Sequence, residues 1–174
     1  LGLPFFVKPN QSGSSLGVSR VSEISELPKA LDFAFAEDHD ILIESALVGT
    51  EISVGVFKWK DKTTVLGITE IVPENDFFDY EAKYLGKSQE ITPARISPEM
   101  TEKVSAVAKK AYEVLKMSGF SRSEFIIVNG EPHMLETNTI PGLTTESLIP
   151  QQAKEAGISL TDLFTNALEL ALKK

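Results

Sequence analysis

The stretch "SRSEFIIVNGEPHMLETN" (121–138) constrains the fold more than any other. Two apolar-rich runs flank an Asn-Gly step, the strongest short-range sign of a β-hairpin. Alternation puts Arg122 and Glu124 on one face of the first strand, and Glu136 and Asn138 on one face of the second. Whether those two faces coincide is a matter of register. A two-residue turn at Asn129–Gly130 pairs Val128 with Glu131 and, carried on without interruption, sends Glu124 and Glu136 to opposite faces. Uniting them requires a turn of three or five residues, or a bulge, with Gly130 at positive φ. Packing argues the same way, since that register sets Leu135 on the side of Phe125 and Ile127.

If united, two carboxylates and an amide oxygen make a hard-oxygen site suited to Mg2+, which typically keeps water and binds substrate phosphates. Arg122 is then placed to hold a transferring phosphoryl group. The other reading is a salt-bridged solvent face, and the hairpin alone leaves both open.

Around the hairpin, strands and helices are interleaved. Strands are predicted at Phe5–Lys8, Gly17–Val21, "ILIES" (41–45), and a second hairpin of "EISVGVFKW" (51–59) and "TTVLGITEIV" (64–72) about "KDKT". Ser25 is a candidate cap for a helix from near Pro28, with Leu27, Ala30, Leu31, Ala34 and Phe35 as its apolar stripe. Ser97–Pro98 opens a long helix with Val104, Val107, Ala108, Ala111 and Leu115 inward and Gly119 as its stop. A short helix from Pro150 ends near Gly157, and Ser159 with Asp162 boxes the start of a last helix at Leu160. Residues 73–87 follow neither period and read as a long surface loop, aromatic enough to be functional. Hairpins mean antiparallel pairing, so the class is α+β or mixed α/β.

Composition narrows the chemistry. With 17 basic and 25 acidic residues the formal charge is −8, which argues against a nucleic-acid partner. No cysteine is present, so thiolate metal sites are excluded, and two histidines are too few for a His-based zinc site. No apolar run reaches the roughly 20 residues of a membrane span, and no secretory segment is visible, so a cytoplasmic protein without a membrane partner is expected. The chain starts "LGLPFFVKP" without Met and reads as a piece of a longer protein.

Other stretches carry chemistry. In "FVKPNQSGSSLG" a strand delivers Lys8, and a loop with Gly13, Ser14, Ser15 and Gly17 follows; glycines admit phosphate oxygens to backbone N–H groups and the lysine adds charge. An ordinary surface hairpin explains the same residues. Lys83 and Tyr84 sit on the long loop, where they could close over a site. Ser147–Leu148 precede a helix whose N-terminus suits a carboxylate, or is a simple cap. Glu44 and Glu51 flank an inter-strand segment and could accept from a nucleotide's amino group or ribose.

In this order, "FVKPNQSGSSLGVSRV", "ILIESALVGTEISVGV", "FFDYEAKY", "ITPA" and "SRSEFIIVNGEPHMLETNTIPGLTTESLIP" resemble the D-alanine–D-alanine ligases of the ATP-grasp superfamily. The resemblance runs from residue 5 to about residue 150. It implies an ATP-grasp fold: a largely antiparallel sheet flanked by helices, with part of a smaller α+β subdomain. Residues 1–46 match the second half of the central subdomain and 47–174 the C-terminal domain, while the family's N-terminal domain is missing.

The implied activity is ATP-driven phosphorylation of one D-alanine carboxylate, followed by attack of a second D-alanine's amine. The implied ligands are ATP and two Mg2+ (or Mn2+) ions, and the implied parent is a homodimer. By resemblance, Lys8 and Lys83 bind ATP phosphates, Ser14 and Ser15 belong to the covering loop, and Glu44, Glu51 and the Ala46–Leu47 backbone meet base and ribose. Glu124, Glu136 and Asn138 hold the metals; Arg122 and the Gly142 backbone stabilise the tetrahedral intermediate. Ser147 and Leu148 grip the second D-alanine's carboxylate, and Tyr84 with Ser14 orients a glutamate near the first. Glu124 stands where the family usually has aspartate and Phe78 where tyrosine is common. Without the N-terminal domain, residues 1–174 are expected to be inactive alone. The alternatives are a D-alanyl-D-lactate or D-alanyl-D-serine ligase, against which Tyr84 argues in the lactate case, and a non-catalytic nucleotide-binding module.

Overall fold

β1 (Phe5–Pro9) alternates buried and half-buried residues in the computed structural model, which describes residues 1–73 and 88–173. That period turns Phe5 and Val7 to one side and Phe6 and Lys8 to the other. β1 pairs antiparallel with β2 (Ser19–Val21) and with β3 (Ile41–Ser45), in the order β2-β1-β3. α1 (Leu27–Phe35) covers the Phe5 side, where Phe5, Val7, Val21, Ala30 and Ala34 form a core. Ser25 does not cap α1. A 3-10 turn at Ile24–Glu26 precedes it, and the Glu26 carboxylate accepts from the Ser22 and Glu23 amides at 2.7 and 3.1 Å. Phe35, expected on the apolar stripe, is exposed at the helix end. These elements belong to a compact unit that includes Leu1–Val48; Gly49–Val72 and Gln89–Lys174 form a second.

The second unit is built on a five-stranded sheet, β6-β5-β4-β7-β8. β4 (Thr50–Trp59) and β5 (Lys62–Pro73) turn back at Lys60–Asp61, whose φ angles of 47° and 65° make a tight two-residue turn inside the expected "KDKT". β6 (Ser88–Ile91), which no sequence pattern announced, forms one edge, and β7 (Phe120–Val128) and β8 (Glu131–Asn138) the other end. α2 (Pro98–Val114) is capped by Ser97, whose Oγ accepts from the Met100 amide at 3.1 Å. It lays Val104, Ala108 and Tyr112 on Ile52, Val54, Val56, Ile68 and Phe125. Each such aliphatic side chain contributes about 1.5–3 kcal/mol relative to exposure. Leu115 falls beyond the helix and is exposed, and Lys116 (φ 52°) takes the left-handed position directly after it, with Gly119, the expected stop, also left-handed (φ 70°) three residues further on.

α3 (Leu148–Glu155) and α4 (Leu160–Leu172) lie on the other face, where Ile149, Ala153 and Leu163 meet Phe57 and Leu66. α3 starts two residues before the expected Pro150, and Ser159 caps α4 by accepting from the Asp162 amide at 3.1 Å.

The β7–β8 register resolves the hairpin question. The turn is two residues, Asn129 and Gly130, with φ of 50° and 77°, so Val128 pairs with Glu131. A bulge between Glu124 and Phe125 then shifts the ladder. Phe125 faces Met134, Leu135 is the additional residue, and Glu124 faces Glu136 with Arg122 facing Asn138. Of the routes to a shared face, the bulge is the one used. Leu135, expected on the side of Phe125 and Ile127, is the bulge residue itself, and Met134 takes the place opposite Phe125: turn chemistry holds the tip, and the bulge absorbs the mismatch.

Candidate functional site

Within the second unit, Arg122, Glu124, Glu136 and Asn138 occupy one face of the β7–β8 end. Direct opposition across the ladder puts paired side chains on the same side. The Arg122 Nε donates to Glu124 Oε1 at 2.7 Å, and their side chains are 21% and 12% exposed. Burial pushes the Glu124 carboxyl above its ordinary range; the Arg122 charge and hydrogen bond work against this, and the Glu136 charge adds to it. Asn138 Oδ1 accepts from the Ile140 amide at 3.0 Å, which fixes the amide oxygen at the strand end.

This donor set fits a hard cation. All its atoms are oxygens, two carboxylates face each other, and one of them is desolvated with a like charge opposite, a cost that a dication would offset. No group of three or more His, Asp or Glu side chains forms among the described residues, so a metal here would rely on Glu124, Glu136 and the Asn138 amide.

The helix beside this face starts at Ser147. Its hydroxyl does not cap α3 but accepts from the Thr144 amide at 3.2 Å and bonds the Thr144 hydroxyl at 2.8 Å. Gly142 lies against it: a Cβ there would stand 2.7 Å from Ser147 Oγ, so the glycine permits the approach. Leu148 is buried under the first turn. The structure therefore joins Gly142, Ser147 and Leu148 in one loop–helix corner. A recess of about 740 Å3 lined by Thr145, Glu146, Pro150, Lys154, Ser159 and Leu160 adjoins this corner and includes neither Glu124 nor Glu136.

In the first unit, Lys8 on β1 and Glu44 on β3 form an ion pair, diagonal across the ladder. The two residues expected to meet different parts of a ligand thus neutralise each other here. Ser14 and Ser15 follow in a loop where both take positive φ, 55° and 57°, a conformation rare outside glycine. The Ala46 amide donates to the Pro4 carbonyl at 3.2 Å, and Leu47 follows it. Glu51 belongs to the second unit, on β4 between Ile71 and Ile126. Lys83, Tyr84 and Phe78 lie outside the described residues. Gln152, which the sequence does not single out, is fully buried beneath the site face, with its amide donating to the Ser53 carbonyl and to Thr69 Oγ1. A polar residue within an apolar helical stripe, above glycines on adjacent strands, was its available signal.

No helix among the described residues is long and apolar enough to cross a membrane. Residues 1–169 match the family model described as "D-ala D-ala ligase C-terminus". A D-alanine–D-alanine ligase of Flavobacterium johnsoniae is 71% identical over 99% of this chain and 53% of its own length. One from Flavobacterium psychrophilum is 63% identical over the whole chain and 53% of its own length. Among solved structures, the Bacillus anthracis D-alanine–D-alanine ligase complexed with ATP superposes with a TM-score of 0.82 at 31% identity, covering 99% of this chain and 53% of that one. The VanG D-Ala:D-Ser ligase of Enterococcus faecalis gives 0.86 at 34%, covering 98% and 50%. The chain spans about half the length of the relatives it matches. With its antiparallel sheets, flanking helices and motif order, it belongs to the D-alanine–D-alanine ligase family and carries that family's ATP-grasp fold.

Proposed function

We propose that the protein containing this chain joins two D-alanines with ATP, and that the chain supplies most of the nucleotide and metal machinery. The observation that carries this reading is the bulged register, which sets Glu124 against Glu136 and Arg122 against Asn138 on the face beside Ser147. Residues 1–46 act as the second half of a central subdomain and 47–174 as the C-terminal domain.

In the proposed mechanism, Lys8 and Lys83 bind ATP phosphates under a loop containing Ser14 and Ser15. Lys8 exchanges its Glu44 partner for phosphate, which frees that carboxylate for the base or ribose alongside Glu51. The Ala46 carbonyl and Leu47 border the adenine. Glu124, Glu136 and Asn138 hold Mg2+ or Mn2+, which when bound neutralises charge on the transferring phosphoryl group. The first D-alanine carboxylate takes the γ-phosphoryl group and ADP leaves. Ser147 and Leu148 fix the second D-alanine's carboxylate, so that its amine attacks the acyl carbon; Arg122 and the Gly142 amide stabilise the resulting oxyanion, and phosphate departs. Tyr84, with Ser14, orients the group that holds the first D-alanine. A closing loop would exclude the water that otherwise hydrolyses an acyl phosphate. The proposal includes a cytoplasmic, homodimeric parent without nucleic-acid or membrane partners.

The test is ADP release by the full-length protein with D-alanine, D-serine or D-lactate as acceptor. D-alanine as the best acceptor, with dipeptide formed, supports the reading. Preference for D-serine, the acceptor named for the VanG neighbour, replaces the acceptor assignment. No acceptor-dependent ADP release leaves a non-catalytic nucleotide-binding module.

A further inference from the structure

Two polar side chains of α3 reach the sheet: Gln151, whose Nε2 donates to Glu90 Oε2 on the edge strand β6 at 2.9 Å, and Gln152, which alone of the two bonds the central strands. Gln152 is fully buried, and its Nε2 donates to the Ser53 carbonyl on β4 at 3.1 Å and to Thr69 Oγ1 on β5 at 3.0 Å. Ser53 and Thr69 are cross-strand partners, and Ser53 also stands directly opposite Glu124. The next pair on that face toward Phe57 is Gly55 opposite Gly67, with Gly55 also opposite Arg122. A Cβ on Gly55 would meet Gln152 Oε1 at 2.2 Å, and one on Gly67 would meet Gln152 Cβ at 2.8 Å. The two glycines thus form a floor on which the glutamine lies. Its buried Oε1 has no hydrogen-bond partner among the described residues.

The bland account is packing, since Ile149 and Ala153 already anchor α3 through apolar contact. Apolar contact, however, is non-directional and allows sliding, whereas two hydrogen bonds from one planar amide set both height and rotation. Burying an amide with an unsatisfied oxygen is costly where an aliphatic side chain would fill the space. Gln152 thus adds direction to a contact that the apolar residues alone leave free to slide.

We propose that Gln152 is a positioning residue for the acceptor half of the reaction: it locks the Ser147–Leu148 corner at a set distance from Arg122 and Glu124. Leu148 lies one helical turn before Gln152, so a shift of the glutamine moves the carboxylate grip directly. This rests on the ligase reading above and adds a residue to it. The first-substrate and nucleotide contacts of that reading lie on strands and loops and not on α3, so a change at Gln152 acts first on the acceptor grip.

The test uses the full-length protein with Gln152→Met, of similar volume but without the donors, and Thr69→Val, which removes one of the two acceptors. Acceptor KM is measured from dipeptide formation. Phosphorylation of the first D-alanine is measured separately by positional isotope exchange in ATP. We expect Gln152→Met to raise acceptor KM by about tenfold or more, the scale of a sub-ångström misplacement, and Thr69→Val to raise it less, with isotope exchange unchanged in both. Unchanged acceptor KM overturns the proposal, as does an equal loss in both half-reactions, which is the signature of a merely structural role. If Gln152→Met does not fold, the same split read on Thr69→Val decides. Failure of the ligase reading itself would be seen separately, as no D-alanine-dependent ADP release by the unsubstituted protein.

Discussion

Alanine placed at Gly55 or at Gly67 probes the α3–sheet contact in two different ways. At Gly67 the new methyl would sit 2.8 Å from Gln152 Cβ and 3.2 Å from its Cα. Carbon atoms normally rest about 3.5–4.0 Å apart, and neither clashing atom can rotate away, so α3 itself must lift. Overpacking of this kind costs about 1–3 kcal/mol, offset by the ~0.4–1 kcal/mol that a Gly→Ala change recovers from the unfolded chain. At Gly55 the shorter contact, 2.2 Å, is to Oε1 at the far end of the same side chain. That atom accepts no hydrogen bond from the described residues, so the cost is the strain on the two Nε2 bonds, about 1 kcal/mol, together with a small shift of Ile149 Cδ1, 2.9 Å from the methyl. The two sites therefore respond differently to Gln152→Ala. Truncation removes the Oε1 obstacle at position 55, leaving Ile149 Cδ1 at 2.9 Å, the free end of a side chain that can turn aside; at position 67 it removes only the Cγ contact and leaves the nearer Cβ and the backbone Cα. In a double-mutant cycle, Gly55→Ala should couple favourably to Gln152→Ala by about 0.5–1.5 kcal/mol, while Gly67→Ala should be additive within about 0.5 kcal/mol. Urea unfolding followed by the single tryptophan, Trp59 at the end of β4, reports this unit specifically. Equal coupling at both glycines, or none at Gly55, would refute the geometry.

Glu70 is mostly buried and held below the ordinary carboxylate range by hydrogen bonds from Arg95, whose Nε and Nη2 lie at 2.8 and 2.7 Å. A depressed folded value means that its stabilisation is fully present above the unfolded pKa, about 4.3, and is lost as pH falls through the folded one. Glu70→Gln should thus cost about 1–2 kcal/mol at pH 7, and the gap to the unsubstituted chain, measured by urea unfolding, should close in acid; a gap that widens would reverse the assignment. Ser97→Ala removes the α2 cap and should cost about 1 kcal/mol by the same measurement. Residues 1–174 alone should form no D-alanyl-D-alanine when assayed with ATP, Mg2+ and D-alanine. Dipeptide formation by this chain would mean that no further domain is needed.

Much of the second unit was legible because its signals are local. Asn-Gly at 129–130, Ser97–Pro98 and Ser159 with Asp162 each act on their own few residues, and each does what its chemistry dictates. Where two local signals compete, the sequence alone does not rank them. The two-residue turn and the shared carboxylate face look incompatible, and a bulge at Leu135 reconciles them. The same holds at the start of α1, where no side chain caps the helix and Glu26 accepts instead from the Ser22 and Glu23 amides ahead of the preceding 3-10 turn, and after α2, where Lys116 ends the helix ahead of Gly119. Gln152 stayed hidden for another reason. Its partners, Ser53 and Thr69, lie far away in sequence and meet it only once two hairpins and a helix have packed. The motif residues were readable as a set, yet Lys8 and Glu44 pairing with each other is a fact of the β1–β3 register that no motif contains.

The central claim is that the bulged hairpin builds a metal-dependent phosphoryl-transfer site, and Glu136→Gln in the full-length protein tests it most directly. This change removes one charge opposite Glu124 and leaves the exposed position's volume and the ladder unaltered. D-alanine-dependent ADP release should fall by about a hundredfold or more, the scale of lost electrostatic stabilisation, with the melting temperature unchanged. Turnover near that of the unsubstituted protein would show that Glu136 holds no metal and that the shared face is only a polar strand end.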